Sequence, residues 1–268
     1  MAPSLLVVGG GRMGGALVAG LLQRGGWDPG DVVVMEPEGS RRAALADAHP
    51  GLQVVATLHE GMVDEHGGAV LAVKPDIAEV ACRGVGAVGV RRVLSVVAGV
   101  AAARLEACLP AGAVVVRAMP NTPALVGAGT TAISGGGNAR AADLSWAETV
   151  LGAVGSVVRV PERHLDAVTA LSGAGPAYVC VVVEALVEAG VLAGLSRELS
   201  TALAVGTVRG TGLLLAETAE RPEVLRGDVT SPGGATAAGL RALEARAVRS
   251  AFIEAVLSAL ERSRSLGR

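Results

Sequence analysis

Short apolar runs rich in β-branched residues punctuate the first 160 positions, and helix-period stretches separate them. Residues 5–10 (LLVVGG), 31–36 (DVVVME), 54–56, 69–73, 92–97 and 113–118 each read as strands. These runs are apolar without alternation, as expected of strands covered on both faces of a parallel sheet. Helical patterns follow the first two, from Arg12 to Gln23 and from Ser40 to Ala48. The segments GTTAIS and GSVVRV add the last strands and close this region near Val160. Strand–helix alternation predicts a Rossmann-type, doubly wound α/β domain over residues 1–160.

From Pro161 the pattern becomes purely helical, which predicts an all-α domain over residues 161–268. The stretch from Glu162 to Leu195 reads as one long helix disturbed at Gly173–Pro176. Its most apolar part, 177–195, carries Glu184 and Glu188 on one face, so the sequence predicts a buried helix rather than a membrane span. Ser196 is a good N-cap for the next helix, through Thr218. Two further helices are expected, one after Gly233-Gly234 and one over 246–265.

The richest local signal follows the first strand. Gly9, Gly11 and Gly14 have the G-x-G-x-x-G spacing between a strand and a helix, with Arg12 and Met13 inside the motif. Glycines there let the backbone turn tightly and approach a pyrophosphate, which the helix N-terminus then faces. Glu36 ends the second strand, where an acid accepts hydrogen bonds from a ribose 2′-hydroxyl and favours NAD(H). Arg41 and Arg42 follow within a turn of helix and could reach the 2′-phosphate of NADP(H), so both cofactors stay open. Three more turns fall at the same sheet edge: Val73-Lys74-Pro75, Ala98-Gly99, and Asn121 between two prolines. Together they outline a crevice for nicotinamide and substrate. Lys74 is the one lysine in a chain with 22 arginines, which marks it further.

Composition narrows the function classes. The net charge of −2 offers no basic surface for nucleic acid or an anionic membrane, and four aromatic residues provide no stacking platform. Cys82, Cys108 and Cys180 are far apart, and the four histidines form no i, i+4 pair, so neither a disulfide framework nor a metal site is expected. A reducing cytoplasm suits this usage. The first residues have no basic stretch ahead of their apolar run, unlike a signal peptide.

A second glycine-rich helix start, Ser231-Pro232-Gly233-Gly234-Ala235-Thr236, remains to be explained. Proline and two glycines exceed what an N-cap needs, and the pattern suggests a second small anion held by backbone N–H groups.

Over essentially its whole length the chain resembles the Δ1-pyrroline-5-carboxylate reductases, the last enzymes of proline biosynthesis. The segments that carry the likeness are GGGRMGGAL, LAVKP, VVAG, RAMPNTPALVGAG, DAVTALSGAGPAYV, EALVEAGVLAGLSR and LRGDVTSPGGATAAGLRALE. The resemblance implies an N-terminal domain for NADPH or NADH and helices that interlock between two subunits, with rings of dimers in some relatives. It implies a small-molecule substrate whose carboxylate meets the turn of Ser231, Gly233 and Gly234. By the same resemblance Ala235, Thr236 and Glu162 contact substrate. Reducing a cyclic imine needs a hydride on carbon and a proton on nitrogen, which makes the Thr236 hydroxyl the candidate catalytic group, bonded to the ring nitrogen. Lys74 and Ala98 fall where the family contacts the nicotinamide half, and His59 and Asp228 align with cofactor-contacting asparagines of some members. Glu36 departs from the small polar residue that other members place near the 2′-phosphate.

The competing reading is a two-domain dehydrogenase of the 3-hydroxyacid type, which shares the order of domains. Some of those enzymes use a lysine from a helix of the second domain, whereas Lys74 lies in the first.

Overall fold

A computed structural model describes residues 3–64 and 66–266. The chain divides into two compact units, one comprising the residues before Gly175 with those after Ser258, the other Gly175–Ser258. The sequence changes to helices alone at 161, earlier than this division, because the segment from Glu162 to Gly173 packs with the sheet-bearing unit.

The first unit is built on eight strands: β1 (Leu5–Val8), β2 (Val32–Met35), β3 (Gln53–Val55), β4 (Gly68–Leu71), β5 (Arg92–Ser95), β6 (Val114–Met119), β7 (Gly129–Gly135) and β8 (Gly155–Arg159). They form one sheet in the order β3-β2-β1-β4-β5-β6-β7-β8. Pairing is parallel from β3 through β6; β7 pairs antiparallel with β6, and β8 pairs parallel with β7, so these two strands run against the other six. The connection over residues 120–128 explains the reversal, since a parallel crossover needs about a dozen residues or more.

Helices cover both faces. Leu5, Val7, Val32, Val34, Val70, Leu94 and Val116 join a core with residues of α1 (Arg12–Gln23) and α5 (Ala141–Gly152). The alternate positions Leu6, Val8, Val33, Ala69, Leu71, Val93 and Val115 join another, with α3 (Ala78–Ala87) and α4 (Ala102–Glu106). Two buried faces are why these strands are written as unbroken apolar runs. The expected second helix is α2 (Gly39–Ala48), whose Leu45 is buried. After β8 come a 3₁₀ turn, the short α6 (Leu165–Val168) and a π-turn over Thr169–Gly173.

The second unit begins with α7 (Gly175–Leu192) and α8 (Arg197–Thr218), which pack on each other. Ser196 caps α8, its hydroxyl accepting from the Leu199 N–H at 3.2 Å. Then follow α9 (Pro222–Asp228), which the sequence reading missed, α10 (Ala235–Ala245) and the first part of α11 (Val248–Leu266), whose residues after Ser258 belong to the first unit. The interruption expected at Gly173–Pro176 falls on the π-turn, and Pro176 occupies the first turn of α7, where its missing N–H costs nothing.

One expectation is corrected here. Residues 177–195 do not form a helix buried within the chain, because Val187 is the only buried residue of α7. Leu192 is 89% exposed, and Val179, Val181 and Leu186 are exposed as well. Residues 162–192 and 197–218 are long and apolar enough, by length and composition, to cross a membrane. The same character suits helices covered by a second subunit.

Candidate active site

The parallel sheet gathers the cofactor residues read from the sequence at one edge. Gly9 to Gly14 follow β1, Glu36 follows β2, Val73-Lys74-Pro75 follow β4, Ala98-Gly99 follow β5 and Asn121 follows β6. All five strands run the same way, so these are their carboxyl ends, where open α/β sheets bind ligands.

The turn after β1 fits a dinucleotide. Gly9 has φ +101°, and a Cβ there would lie 2.6 Å from the Ala72 carbonyl oxygen. A Cβ on Gly14 would overlap the Gly9 carbonyl oxygen, so the helix could not approach the strand. A Cβ on Gly11 would meet no protein atom within 4 Å. Crowding therefore explains the first and third glycines, while open space at the second is what a pyrophosphate requires. No side chain caps α1, which leaves its first-turn N–H groups available to an anion. Arg12 is exposed on that turn, and Met13 packs on the core.

Glu36 is only 3% exposed. Its Oε2 accepts from the Gly10 N–H at 2.8 Å and its Oε1 from the Glu38 N–H at 2.9 Å. The carboxylate thus ties the glycine turn to the end of β2. Arg42 donates through Nη1 to the carbonyls of Glu36 at 3.0 Å and Pro37 at 2.7 Å. Arg41 pairs with Glu38 at 3.0 Å.

Lys74 caps the 3₁₀ turn that starts at Pro75; it is exposed and makes no ion pair among the described residues. Ala98 is exposed and Gly99 half-buried in the turn after β5. Asn121 is fully engaged. Its Nδ2 donates to the carbonyl and the hydroxyl of Ser172, at 3.2 and 3.3 Å, and its Oδ1 accepts from the Thr130 N–H at 2.9 Å. Those bonds pin the π-turn to the end of β6, where Gly173 also leaves room for Met119. His59, exposed before β4, sets its Nδ1 against the Glu60 carbonyl at 3.2 Å.

Glu162 sits in the first unit, in the 3₁₀ turn after β8. Its Oε1 accepts from the Ala102 N–H, at the start of α4, at 2.8 Å, and from Arg117 Nη1, on β6, at 2.7 Å. Burial pushes this carboxyl up, but the Ala102 N–H and the Arg117 guanidinium outweigh it and hold it below the usual carboxylate range. Arg117 was not singled out from the sequence. The signal was there: one charge inside the apolar run AVVVRAM, which leaves a side chain only 13% exposed that needs a partner.

In the second unit, the turn before α10 leaves the helix start without a side-chain cap. Gly233 has φ +70° and nothing within 4 Å of a Cβ position, whereas a Cβ on Gly234 would collide with the Ser231 hydroxyl. The Gly234 N–H bonds the Ser231 carbonyl at 3.1 Å, closing the turn. No side chain caps α10, so the amides of Ala235, Thr236 and Ala237 have no acceptor within the helix. Ser231, Ala235 and Thr236 are exposed, as is Asp228 at the end of α9.

Comparison with known proteins agrees in both units. Residues 162–266 match the family model for pyrroline-5-carboxylate reductase dimerisation, and residues 4–99 match that for NADP oxidoreductase, coenzyme F420-dependent. A pyrroline-5-carboxylate reductase of Synechocystis is 42% identical, covering all of both chains. The solved structure of one from Coxiella burnetii superposes with a TM-score of 0.92 at 32% identity, covering all of both chains. A Plasmodium falciparum pyrroline carboxylate reductase, solved with NADP bound, superposes at 0.83 with 29% identity over 99% of this chain and 98% of its own.

Proposed function

This chain belongs to the pyrroline-5-carboxylate reductase family, and on that premise we propose how its residues reduce 1-pyrroline-5-carboxylate to L-proline with NAD(P)H. A bound dinucleotide would supply the hydride needed at the carbon of the ring C=N bond. The C=N π pair passes to nitrogen, which carries a proton from water or from the already protonated imine.

The observation that supports a substrate role for the second unit is the uncapped start of α10. Backbone N–H groups of the Ser231–Thr236 turn, with Gly233 and Gly234 stripped of side chains, take the substrate carboxylate. Ala235 packs against the ring, and the Thr236 hydroxyl bonds the ring nitrogen. Among the described residues Glu162 uses only Oε1 toward protein, and Oε2 is the oxygen we assign to the substrate. On the cofactor side, Gly9, Gly11, Arg12, Met13 and Gly14 take the pyrophosphate and Glu36 the ribose. Val73, Lys74, Pro75, Ala98, Gly99 and Asn121 shape the nicotinamide end. Most of the rate comes from holding donor and acceptor in line, worth up to about 7–11 kcal/mol in the best intramolecular cases.

The enzyme is a homodimer through its helical region, and we propose that the helices interlock and that dimers join in a ring. Three free cysteines, one of them buried Cys82, suit a cytoplasmic setting.

The direct test follows cofactor oxidation on addition of 1-pyrroline-5-carboxylate. Turnover with NADH, NADPH or both is expected, and a background rate with both, in protein folded by circular dichroism, refutes the assignment. Thr236→Ala is expected to lower kcat at least tenfold with cofactor affinity kept within about threefold. Collapse of that affinity would move Thr236 to the cofactor site.

A further inference from the structure

We infer that this chain prefers NADH to NADPH and that Glu36 sets the preference. The inference rests on the dinucleotide reading of the glycine turn, and it concerns the ribose next to that turn.

Three observations carry it. Both oxygens of Glu36 accept a backbone N–H, one of them from Gly10 inside the glycine turn, so the carboxylate is fixed beside the place where the adenosine ribose joins the pyrophosphate. Each oxygen keeps a lone pair. A ribose 2′-hydroxyl can donate to it; a 2′-phosphate has only acceptors to offer and brings negative charge against negative charge. Glu36 is also buried, so water and salt screen that repulsion poorly.

The nearby cations do not reverse the balance. Arg42 spends Nη1 on the carbonyls of Glu36 and Pro37, and the Nε of Arg41 pairs with Glu38. Ser40, the remaining polar side chain of this segment, donates its hydroxyl to Glu38 at 2.7 Å. Residues 36–42 carry two carboxylates and two guanidinium groups, so the segment presents no net positive charge to a dianion. The two arginines that suggested a phosphate site from the sequence hold the β2–α2 turn instead.

The test titrates the full-length protein separately with NADH and NADPH, following nicotinamide fluorescence. NADH is expected to bind at least fivefold more tightly. A smaller ratio, or one in favour of NADPH, overturns the preference. Glu36→Gln and Glu36→Ser both remove the charge, and the ratio is expected to fall at least threefold in each variant that binds either cofactor. A ratio that stays within threefold of the wild-type value overturns the assignment to Glu36. Loss of the Gly10 bond weakens both cofactors together and cancels in the ratio. No imine is present, so a chain that shows the ratio but fails to reduce 1-pyrroline-5-carboxylate would lose the proposed reaction and keep this preference.

Discussion

The two units of this chain solve the burial problem in opposite ways. In the first, strands and helices close on each other, and Leu5, Val7, Val34, Val70, Leu94 and Val116 are wholly buried by the chain itself. In the second, among the described residues, only Val187, Ala204 and Ser200 are buried. Seventeen of the 23 exposed large hydrophobic residues lie between Gly175 and Ser258, a concentration that a soluble monomer does not carry. The first unit is complete by itself; the second is half of a core, consistent with its match to a dimerisation domain. The candidate sites share the contrast. Glu36 and Asn121 are held by backbone partners in one unit, while Ser231 and Thr236 stand exposed in the other.

A deletion in the closed core should give the largest effect. Leu94 on β5 is fully buried in the layer that packs α1 and α5, so Leu94→Ala leaves a cavity. A loss of about 2–5 kcal/mol is expected, read from urea unfolding at fixed protein concentration. A loss below about 1 kcal/mol would erase the distinction between a closed and an open unit. The matching probe of the second unit is Leu213→Glu with Leu214→Glu, at positions on α8 that are about half exposed in the single chain. Secondary structure should persist while dimer affinity falls by about a hundredfold, close to 2.7 kcal/mol, as measured by sedimentation at falling concentrations. Unchanged association would mean that this part of α8 is not the covered face.

The sequence made the closed unit easy to read and the open one hard, for the same physical reason. Unbroken runs such as LLVV and VVVM announce strands covered on both faces, and their order gave the doubly wound sheet. In α7, an equally apolar stretch was read as buried because sequence cannot say which chain supplies the cover. The glycine motif was legible because crowding at Gly9 and Gly14 leaves only glycine possible. What composition hid were side chains whose role is to hold other segments. Asn121 stands at the crevice edge that its turn predicts, and all three of its side-chain hydrogen bonds go to protein. Arg117 and Glu162 meet across 45 positions, a pairing that no local pattern announces.

Asn121 offers a sharper probe of how firmly the closed unit holds its site. Asn121→Ala releases the Ser172 carbonyl and hydroxyl and the Thr130 N–H, all part-buried or near the surface. The expected loss is about 1–2 kcal/mol, since water can satisfy some of the freed groups. Hydrogen exchange should quicken at the π-turn, with little change in β1 or β2. Exchange that rises evenly across the sheet would show a role in the whole core rather than in this one junction.

The smallest effect expected is also the one whose sign is most constrained. Glu162 titrates below the usual carboxylate range because the Ala102 N–H and Arg117 outweigh its burial. Its unfolded value is about 4.3, so between that and the lower folded value the unfolded chain binds more protons than the folded one. The stabilisation is therefore complete above about pH 5 and is lost as pH falls through the folded value. More than a third of this side chain is exposed, so solvent screening keeps the contribution small. Urea midpoints of the wild type and Glu162→Gln, compared from pH 7 down to about pH 3, should differ by a constant amount at the upper end and converge at the lower. A gap that widens on acidification would mean that the carboxyl is needed protonated. A gap that stays flat throughout would mean that the Arg117 and Ala102 bonds hold this junction no better charged than neutral.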